Sequence, residues 1–586
     1  MIKQLWMIMH SLFDPDLPRR ANVTPLKAQI LQNRGCRTEE EIDKYLHANL
    51  DDLYDPLLMS GMAEAVSLMQ ESLHAGKKIR VIGDYDVDGM TSTFILLDGL
   101  KKLGAGVSYD IPDRIMDGYG LSQRLVEQAH ADGIETIITC DNGIAAVNEI
   151  AKAKEYGMTV IVTDHHSIPE TLPNADVIID PHQPGDNYPY KTICGAVVAW
   201  KFILALYAAE GKELSKHNIY MVLAGLATNC DVMPIEDENR IILKYSLAEI
   251  QRTDNIGLHA LLEATGLLEK EKLYSYDYGF VIGPCMNTQG RLHSAKYVVD
   301  LLNERDMGKA KAVAAELKAE NDERKAMTQK YQNDFIQELS ARQNLGNVIV
   351  ELAPGLHESL AGIVAGKIKE AFYRPTIILT ESEGDNTIYK GSGRSIEGYN
   401  IFEELKKVNE DQIMPKCGGH PLACGLSIKK DQVDELRKRL NDNEQMTEEI
   451  LTSKLKIDAG FAMGDFNTFL IDELEELEPF GNKCPRPTFG QKNLTVTKIY
   501  TNEKKTMLRL TVRDKKGRGS TLTTFDAEGT LERLKQWCGE ETCDRLLKNS
   551  VPNSGLEIDV VYTADINEFR GERNPQFKIV DMRLSQ

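Results

Sequence analysis

The chain has 586 residues, more than one hydrophobic core usually serves, so we expect roughly three or four domains. Hydrophobic residues make up 42% and charged residues 27% of the sequence, as in an ordinary globular protein, and no apolar stretch is long enough to cross a bilayer. The formal net charge of −20 argues against a general nucleic-acid coat protein, because nonspecific affinity for phosphates comes mainly from Lys and Arg.

The N-terminal segment, residues 1–70, carries helical patterning and is predicted to form a cap on the domain that follows. Its run from Leu5 to Phe13 is signal-like, but Asp14 and Pro15 follow it without a small-residue cleavage site. The ten cysteines of the chain are scattered, as expected for buried thiols in a reducing compartment. These features predict a cytoplasmic protein that has no disulfides and is not a membrane protein.

Residues 71–300 alternate short apolar strands with amphipathic helices, which is the pattern of a parallel-sheet α/β domain. Three of the predicted strands, IRVIG, TIITC and MTVIV, lead into Asp84, Asp141 and Asp164, respectively. Ligands of an open parallel sheet bind outside the carboxyl ends of its strands. We therefore expect these acidic residues to converge at one edge of the sheet.

The rest of the chain is predicted to form three further segments. Residues 301–345 are rich in Ala, Lys and Glu and lack Pro, which predicts one long charged helix that connects two lobes. Residues 346–450 contain the strands NVIVEL and TIILT and two glycine-rich segments, which predict a second α/β domain. Residues 451–586 show alternating strands separated by turns, which predict a small β-barrel. The fold class is therefore α/β with a C-terminal β-barrel.

Hard metal ligands cluster in four short segments of the first domain. A single aspartate at a strand end is most often a helix cap or turn residue, but four clusters on one sheet favour a metal site. Two divalent ions about 4 Å apart can generate hydroxide near neutral pH and clamp a phosphodiester, a role that needs this many ligands. Mixed imidazole and carboxylate ligands favour manganese, with magnesium as a substitute. The candidates are Asp84, Asp86 and Asp88 in DYDVDG, Asp141 in CDNG, Asp164, His165 and His166 in TDHH, and Asp231 in NCDVMP.

The same segments resemble the motifs of a known family. DYDVDG, CDNG, TDHH and CDVMPIEDENR, with GRL, GSGRS and GGH further along the chain, are similar to the motif series of the DHH phosphoesterase superfamily. Within it, the chain most closely resembles the RecJ branch, the single-stranded-DNA-specific 5′ exonucleases. The resemblance covers nearly the whole chain, with its weakest part in the terminal barrel.

The resemblance implies that most of the aspartates and one histidine bind metal. Asp141 would bridge the two ions, and His165 would be a further ligand. His166 would contact the scissile phosphate or complete the set of ligands. Asp164 would orient a histidine, as metal-bound imidazoles usually require. The remaining implied ligands are Asp84, Asp86, Asp88 and Asp231, and the implied catalytic residues are Asp141, His165 and His166.

The resemblance also implies a path for the substrate. Arg114 would hold the 5′-terminal phosphate with Ser392 and Arg394, since guanidinium groups bind phosphate bidentately. Arg291 would pair with a backbone phosphate, and His420 of the GGH segment would contact the nucleic acid. For each arginine the alternative is a surface salt bridge. A further alternative is a zinc site in the CGGHPLACG loop, formed by Cys417, His420 and Cys424.

The C-terminal barrel carries local positive charge within an acidic chain. Residues 492–518 hold nine Lys or Arg against two acidic residues, and apolar residues of TMLRLTVRD alternate with Arg509 and Arg513. The segment resembles an oligonucleotide-binding (OB) barrel, in which a positive groove follows the backbone and aromatic side chains stack on bases. Tyr500 is a candidate for such stacking. The alternative is a solvated edge strand protected by lysines.

The activity implied by the family is 5′→3′ exonuclease digestion of single-stranded DNA to 5′ mononucleotides, in DNA repair and recombination, with two Mn²⁺ ions. Single-stranded DNA, a single-strand-binding protein and a helicase are the implied partners, and we expect a monomer. One alternative is a DHH phosphodiesterase of short oligonucleotides or cyclic dinucleotides, which would not need the barrel or the long helix. Another is an inactive replication or repair scaffold, which would have no need of clustered carboxylates.

Overall fold

The computed structural model divides into two compact units. The first is built mainly from residues 50–453, and the second from residues 5–49 together with residues 454–586. Among the residues that the structure describes, no helix combines the length and the apolar character needed to span a bilayer. The described residues are 4–9, 14–114, 116–292, 294–382, 385–442 and 446–585.

Most of the N-terminal segment, residues 5–49, belongs to the second unit. Leu31 and Ile42 of its helices lie in the same hydrophobic core as the strands of the C-terminal barrel. Thr38 and Glu41 form a capping box that begins the third helix. The elements are β1 (Gln4–Ile8), α1 (Leu17–Arg20), α2 (Pro25–Asn33) and α3 (Glu39–His47).

The first unit contains the parallel sheet that the sequence predicted. All strand pairs in this five-stranded sheet are parallel. Two of its strands are buried at every position, as expected when helices cover both faces. The elements are α4 (Met62–His74), β2 (Ile79–Ile82), α5 (Val87–Lys102), β3 (Val107–Asp110), α6 (Gln123–Ala131), β4 (Thr136–Cys140), α7 (Val147–Glu155), β5 (Thr159–Thr163) and β6 (Val177–Ile179). Their order across the sheet is β3-β2-β4-β5-β6.

The strands of this sheet end at nearly the same level. The register pairs Ile82 of β2 with Thr139 of β4, and Cys140 of β4 with Thr163 of β5. The acidic segments that follow these strands therefore meet at one edge of the sheet, as predicted.

A helical region follows the sheet and ends in the long charged helix that the composition predicted. That helix, α15, contains 35 residues. A short π-helix over Tyr278–Ile282 stands between α12 and α13. The helices are α8 (Gly195–Ala209), α9 (Ile219–Cys230), α10 (Asp237–Glu249), α11 (Ile256–Ala264), α12 (Ser275–Asp277), α13 (Gly283–Leu292), α14 (Lys296–Asn303) and α15 (Met307–Ala341).

The second sheet of the first unit has five strands in the order β10-β11-β9-β8-β7. The segment CGGHPLACG, described above as a loop, is part of an antiparallel hairpin formed by β10 and β11. Its glycines supply ladder hydrogen bonds through the backbone, which a pattern of side chains does not reveal. The elements are β7 (Ile349–Leu352), α16 (Ala361–Phe372), β8 (Thr376–Glu381), β9 (Ile388–Arg394), α17 (Ile401–Val408), β10 (Lys416–His420), β11 (Ala423–Lys429) and α18 (Val433–Asn441).

The C-terminal residues form the predicted barrel. Strands pair in the order β14-β15-β16-β18-β17, and β17 pairs again with β14, so five strands close into a barrel. Two helices connect β16 to β17, and β12 pairs with β1. The elements are β12 (Ser453–Ile457), β13 (Ala459–Gly460), α19 (Thr468–Glu475), β14 (Phe489–Thr501), β15 (Leu508–Arg513), β16 (Gly519–Thr524), α20 (Ala527–Cys538), α21 (Glu540–Lys548), β17 (Glu557–Phe569) and β18 (Glu572–Leu584).

Candidate metal centre and substrate cavity

The segment DYDVDG connects β2 to α5 and places three carboxylates there. Asp86 caps α5, and its Oδ1 accepts hydrogen bonds from the backbone N–H groups of Asp88 at 3.0 Å and Gly89 at 3.1 Å. The carboxylate of Asp88 accepts two more at 2.7 Å, from the N–H groups of Gly195 and Ala196 in the first turn of α8. Asp88 is therefore held between two helices, with its negative charge at the positive end of one of them.

Asp141 follows β4 in the left-handed conformation, at φ 58°. It lies close to the start of α8, because a Cβ placed on Gly195 would stand 2.7 Å from the Cβ of Asp141. Only glycine fits there without moving a neighbour. Asp231, which belongs to the fourth acidic segment, lies at the C-terminus of α9.

His165 connects these segments. Its Nε2 atom lies 3.0 Å from Oδ1 of Asp141, 3.5 Å from Oδ2 of Asp88 and 3.8 Å from Oδ2 of Asp231. Burial lowers the pKa of His165 although the carboxylate of Asp88 opposes the shift. A neutral imidazole is the form that binds a metal ion.

The six residues predicted to bind metal fall into two groups of three. In each group the possible ligand atoms lie within 4.8 Å of one another. The chemistry of both groups suits a hard or borderline divalent cation, because one is all carboxylate and the other adds an imidazole. His166 stands in a third such group, with Asp141 and His165. The two groups are Asp84, Asp86 and Asp141, and Asp88, His165 and Asp231.

The buried carboxylates themselves indicate that a cation belongs here. Burial raises the pKa of Asp84 well above its usual value, and so does the neighbouring charge of Asp86. The pKa of Asp141 is raised by burial and by the charges of Asp88 and Asp86. Among the described residues, Oδ2 of Asp84 is buried without a hydrogen-bond partner. Buried like charges are stable only when they are neutralised, and these residues fit a pair of divalent cations.

Asp164 accepts several hydrogen bonds within and around the segment TDHH. Its Oδ1 accepts hydrogen bonds from the backbone N–H of His165 at 2.7 Å and from Nδ1 of His166 at 2.7 Å, and its Oδ2 accepts one from the N–H of Ile144 at 2.9 Å. Burial alone would raise the pKa of Asp164, but the bond from His166 and its charge lower it. Burial would likewise lower the pKa of His166, but Asp164 raises it to about 9.

Tyr119 is a residue of this site that the sequence analysis missed. Its hydroxyl lies 3.1 Å from the carbonyl oxygen of Asp141, to which it donates, and 2.9 Å from Nε2 of His166. Both ring nitrogens of His166 are thus engaged, one by Asp164 and the other by Tyr119. Its position in the segment DGYG, in the connection between β3 and α6, is the one sequence feature that could have indicated it. No metal-ligand motif includes a tyrosine at that position.

The three residues predicted to hold a terminal phosphate, Arg114, Ser392 and Arg394, line one cavity of about 740 Å³. Arg114 lies over the ring of Tyr85, with 4.6 Å from its guanidinium carbon to the ring centroid. Arg394 donates from Nη1 to Oγ of Ser392 at 3.1 Å. Gly362, in the first turn of α16, leaves room for both, because a Cβ there would lie 2.8 Å from Nη2 of Arg394 and from Oγ of Ser392. Tyr85 and Tyr119 also line the cavity, so it adjoins the metal-ligand segments.

Of the other two predicted substrate residues, the structure describes the side chain of His420 only. His420 is exposed at the end of β10 and is absent from the described residues that line the cavity. Arg291 lies in α13, but its side chain is outside the part of the chain that the structure describes.

The hairpin of β10 and β11 does not form the alternative zinc site. Cys424 pairs with Gly419, and His420 pairs with Ala423. Since paired residues share a face and neighbours alternate, Cys417 and Cys424 lie on one face of the hairpin and His420 on the other.

In the barrel, buried and exposed side chains alternate along β15, as the sequence predicted. Leu508, Leu510 and Val512 are buried, whereas Arg509 and Arg513 are exposed. Tyr500 of β14 is 51% exposed and pairs directly with Arg509, which places a ring and a guanidinium next to each other on the outer face. That face combines an aromatic surface with positive charge.

Family comparisons cover most of the chain. Residues 78–226 match the DHH family N-terminal domain, residues 345–445 match the DHHA1 domain, and residues 457–581 match the RecJ OB domain. The single-stranded-DNA-specific exonuclease RecJ of Bacillus subtilis is 36% identical over 97% of this chain and 69% of its own length. The protein of that name from Escherichia coli is 32% identical over 96% of both chains.

Solved structures agree with the sequence matches. RecJ from Thermus thermophilus in complex with Mn²⁺ aligns over 99% of this chain and 80% of that one, with a TM-score of 0.81 and 26% identity. A second structure, titled exonuclease RecJ bound to manganese, aligns over 67% of this chain and 96% of that one, with a TM-score of 0.58 and 32% identity. The similarity therefore extends through both units.

Proposed function

The chain belongs to the RecJ family of single-stranded-DNA-specific exonucleases, and on that premise we propose that it is a metal-dependent exonuclease that digests single-stranded DNA from the 5′ end to 5′ mononucleotides. The observation that carries the proposal is the meeting of six metal-ligating side chains at one sheet edge, beside a cavity lined by two arginines. The first feature accounts for hydrolysis, and the second accounts for recognition of a chain end.

We propose that two divalent cations are held by the two groups of three ligands, with Mn²⁺ as the physiological ion and Mg²⁺ as a substitute. Related structures are titled as complexes with each of these ions. When bound, the cations supply hydroxide near neutral pH and neutralise charge on the scissile phosphate. Asp141 belongs to the first group, and its Oδ1 lies 3.0 Å from Nε2 of His165 in the second, so it is the proposed shared ligand.

The remaining residues of the centre hold the reacting groups in place. Asp164 accepts three hydrogen bonds, from the backbone N–H groups of His165 and His166 and from the ring nitrogen Nδ1 of His166. It therefore fixes the ring of His166 directly and the backbone of both histidines. Because both nitrogens of His166 are already engaged by Asp164 and Tyr119, we assign His166 to the scissile phosphate rather than to a cation. The doubly hydrogen-bonded ring presents positive charge where negative charge accumulates during hydrolysis.

The cavity is the proposed site of the 5′-terminal phosphate. Arg114, Ser392 and Arg394 can each donate hydrogen bonds to phosphate oxygens. The pKa of Arg394 is lowered by burial and by the charge of Arg114, which indicates that two guanidinium groups share the cavity. An anion would relieve their repulsion. A terminus held here would stop a fixed distance from the metal centre, so each cut would release one nucleotide.

The barrel is the proposed binding site for the strand beyond the cut, through Tyr500, Arg509 and Arg513. Arg291 and His420 remain proposed contacts to the nucleic acid. The proposed setting is DNA repair and recombination in the cytoplasm, where a monomer would act with a single-strand-binding protein and a helicase. Sedimentation of the purified chain and affinity measurements with each partner test these assignments.

Product analysis on strands labelled at either end tests the proposed function. With Mn²⁺ present, we expect a 5′ label to appear at once as mononucleotide, and a blunt duplex to resist digestion. Release that begins at the 3′ label would contradict the assigned polarity and the roles of Arg114, Ser392 and Arg394. A dinucleotide cleaved faster than a long strand would favour the alternative oligonucleotide phosphodiesterase, and absence of cleavage with every ion would favour a scaffold.

Tyr119→Phe is expected to lower kcat on single-stranded DNA about tenfold, because His166 loses one of its two fixing hydrogen bonds. KM should change little, since a positioning residue of the metal centre acts on the chemical step. Steady-state kinetics on one long strand measure both constants. Tyr297→Phe, at a half-exposed tyrosine of α14, is the matched control. A rise in KM with unchanged kcat would assign Tyr119 to strand binding instead.

A further inference from the structure

Two aromatic rings lie exposed and stacked on the surface of the first unit. Tyr276 belongs to α12 and Phe280 to the π-helix that follows it. Their ring centroids are 4.9 Å apart with an interplanar angle of 16°, and the residues are 64% and 59% exposed. Among the described aromatic pairs, it is the only parallel stack of two Phe or Tyr rings. Both residues are therefore largely accessible to solvent.

The pair is anchored to the end of α9, directly before the metal ligand Asp231. Nδ2 of Asn229 donates to the carbonyl oxygen of Ser275 at 3.0 Å, and Sγ of Cys230 lies 3.6 Å from the carbonyl oxygen of Tyr278. A Cβ on Gly279 would stand 3.1 Å from Nδ2 of Asn229, so the two segments are in close contact. The segment that carries the two rings is thereby packed against Asn229 and Cys230, the two residues that precede Asp231.

The surface around the pair has the features of a nucleic-acid contact. Val232, immediately after Asp231, is a further exposed apolar residue, at 64%. The ammonium groups of Lys270 and Lys272 both lie 5.1 Å from the ring centroid of Tyr274, and that of Lys270 is also paired with the carboxylate of Asp277 at 2.7 Å. Unpaired bases offer flat apolar faces to the rings of Tyr276 and Phe280, and the phosphates that link the bases suit nearby lysine side chains. A base-paired duplex does not offer these faces.

We propose that Tyr276 and Phe280 form a stacking platform for unpaired bases of the strand that adjoins the metal centre. The platform rests on the proposed function, since it requires a single-stranded nucleic acid as the substrate. It gives a physical reason for single-strand specificity, because bases must be unpaired to stack on it. Stacking does not depend on base identity, so the platform would not impose a sequence preference.

The test compares the double variant Tyr276→Ala/Phe280→Ala with the unchanged chain, on a long homopolymer strand and on a dinucleotide in Mn²⁺. We expect KM for the long strand to rise about tenfold with little change in kcat, and KM for the dinucleotide to stay the same. Tyr297→Ala, which removes another exposed ring of the same unit, should leave every constant unchanged. Circular dichroism checks the fold, and the conservative variants Tyr276→Phe and Phe280→Tyr should retain the original KM.

A direct binding measurement supplies the second readout. Quenching of 2-aminopurine fluorescence in a labelled strand should occur with the unchanged rings and weaken in the double variant and in each single alanine variant. If the unchanged chain digests single strands while the platform variants keep its KM and quenching, the platform is refuted and the rings are free for a protein partner. If the unchanged chain digests no strand, it is the proposed function that fails.

Discussion

Asp141→Asn is expected to lower kcat on single-stranded DNA by at least about 10³-fold, with the fold preserved. The shared ligand contributes several kcal/mol of charge stabilisation in a two-metal site, and each 1.4 kcal/mol corresponds to tenfold in rate. Asparagine has almost the same shape but carries no negative charge, so it cannot neutralise two cations. Initial rates on an end-labelled strand, with Mn²⁺ varied, measure the loss. The affinity for Mn²⁺ should fall as well, as calorimetric titration can show.

The same substitution should not destabilise the metal-free protein. Asp141 is buried and its pKa is raised by burial and by the charges of Asp88 and Asp86, so removing its charge relieves repulsion. We expect the free energy of unfolding in urea to stay the same or to rise by about 1 kcal/mol. Asp254→Asn, at an exposed position, is the matched control for both measurements. Manganese-dependent cleavage at an undiminished rate in Asp141→Asn would refute the assigned metal centre.

Arg394→Ala is expected to lower kcat/KM on 5′-phosphorylated strands about 100-fold while changing digestion of 5′-hydroxyl strands little. A hydrogen bond to a charged group is worth about 1.5–3 kcal/mol, which corresponds to roughly tenfold to 100-fold in affinity. The effect should lie at the upper end, because Arg394 also supports Ser392 at 3.1 Å. Parallel rate measurements on the two kinds of strand isolate the contribution of the terminal phosphate.

Two further variants test whether Arg394 binds the terminal phosphate through its planar guanidinium group. Arg394→Lys keeps the charge but loses the planar fork, so we expect a loss between those of the native chain and the alanine variant. Arg252→Ala, which removes an exposed arginine of the same unit, should have no effect on either strand. Equal losses on phosphorylated and hydroxyl ends would show that Arg394 supports the fold or the strand backbone rather than the terminus.

The positions of the metal ligands could be predicted because they follow local rules. A buried parallel strand is a continuous apolar run, so the ends of β2, β4 and β5 are visible in the sequence. The topology rule for open sheets then brings the following residues together. The convergence of the segments of Asp84, Asp141 and Asp164 was predicted in this way. The choice of six ligands and the orienting role of Asp164 came from the resemblance to the family.

Tyr119, the hairpin of β10 and β11, and the stacked rings of Tyr276 and Phe280 could not be predicted in the same way. The hydroxyl of Tyr119 meets His166 only through the path of a connecting loop, which has no periodicity. The hairpin is rich in glycine, a residue that statistics place in turns, yet its backbone pairs with a neighbouring strand. The exposed ring pair lies in an irregular helix whose π-turn no pattern of side chains specified.

By itself, the sequence determined the succession of strands and helices, the clustering of carboxylates and histidines after the strands, and the alternating strands of the C-terminal segment, because these depend on periodicity and short motifs within single segments. Only the tertiary structure decided which oxygen faces which nitrogen at His165, that one cavity collects Arg114, Ser392 and Arg394, and that residues 5–49 share a core with the barrel. Each of these depends on contacts between segments far apart in the chain. Such contacts follow from the packing of the whole molecule, which no local pattern encodes.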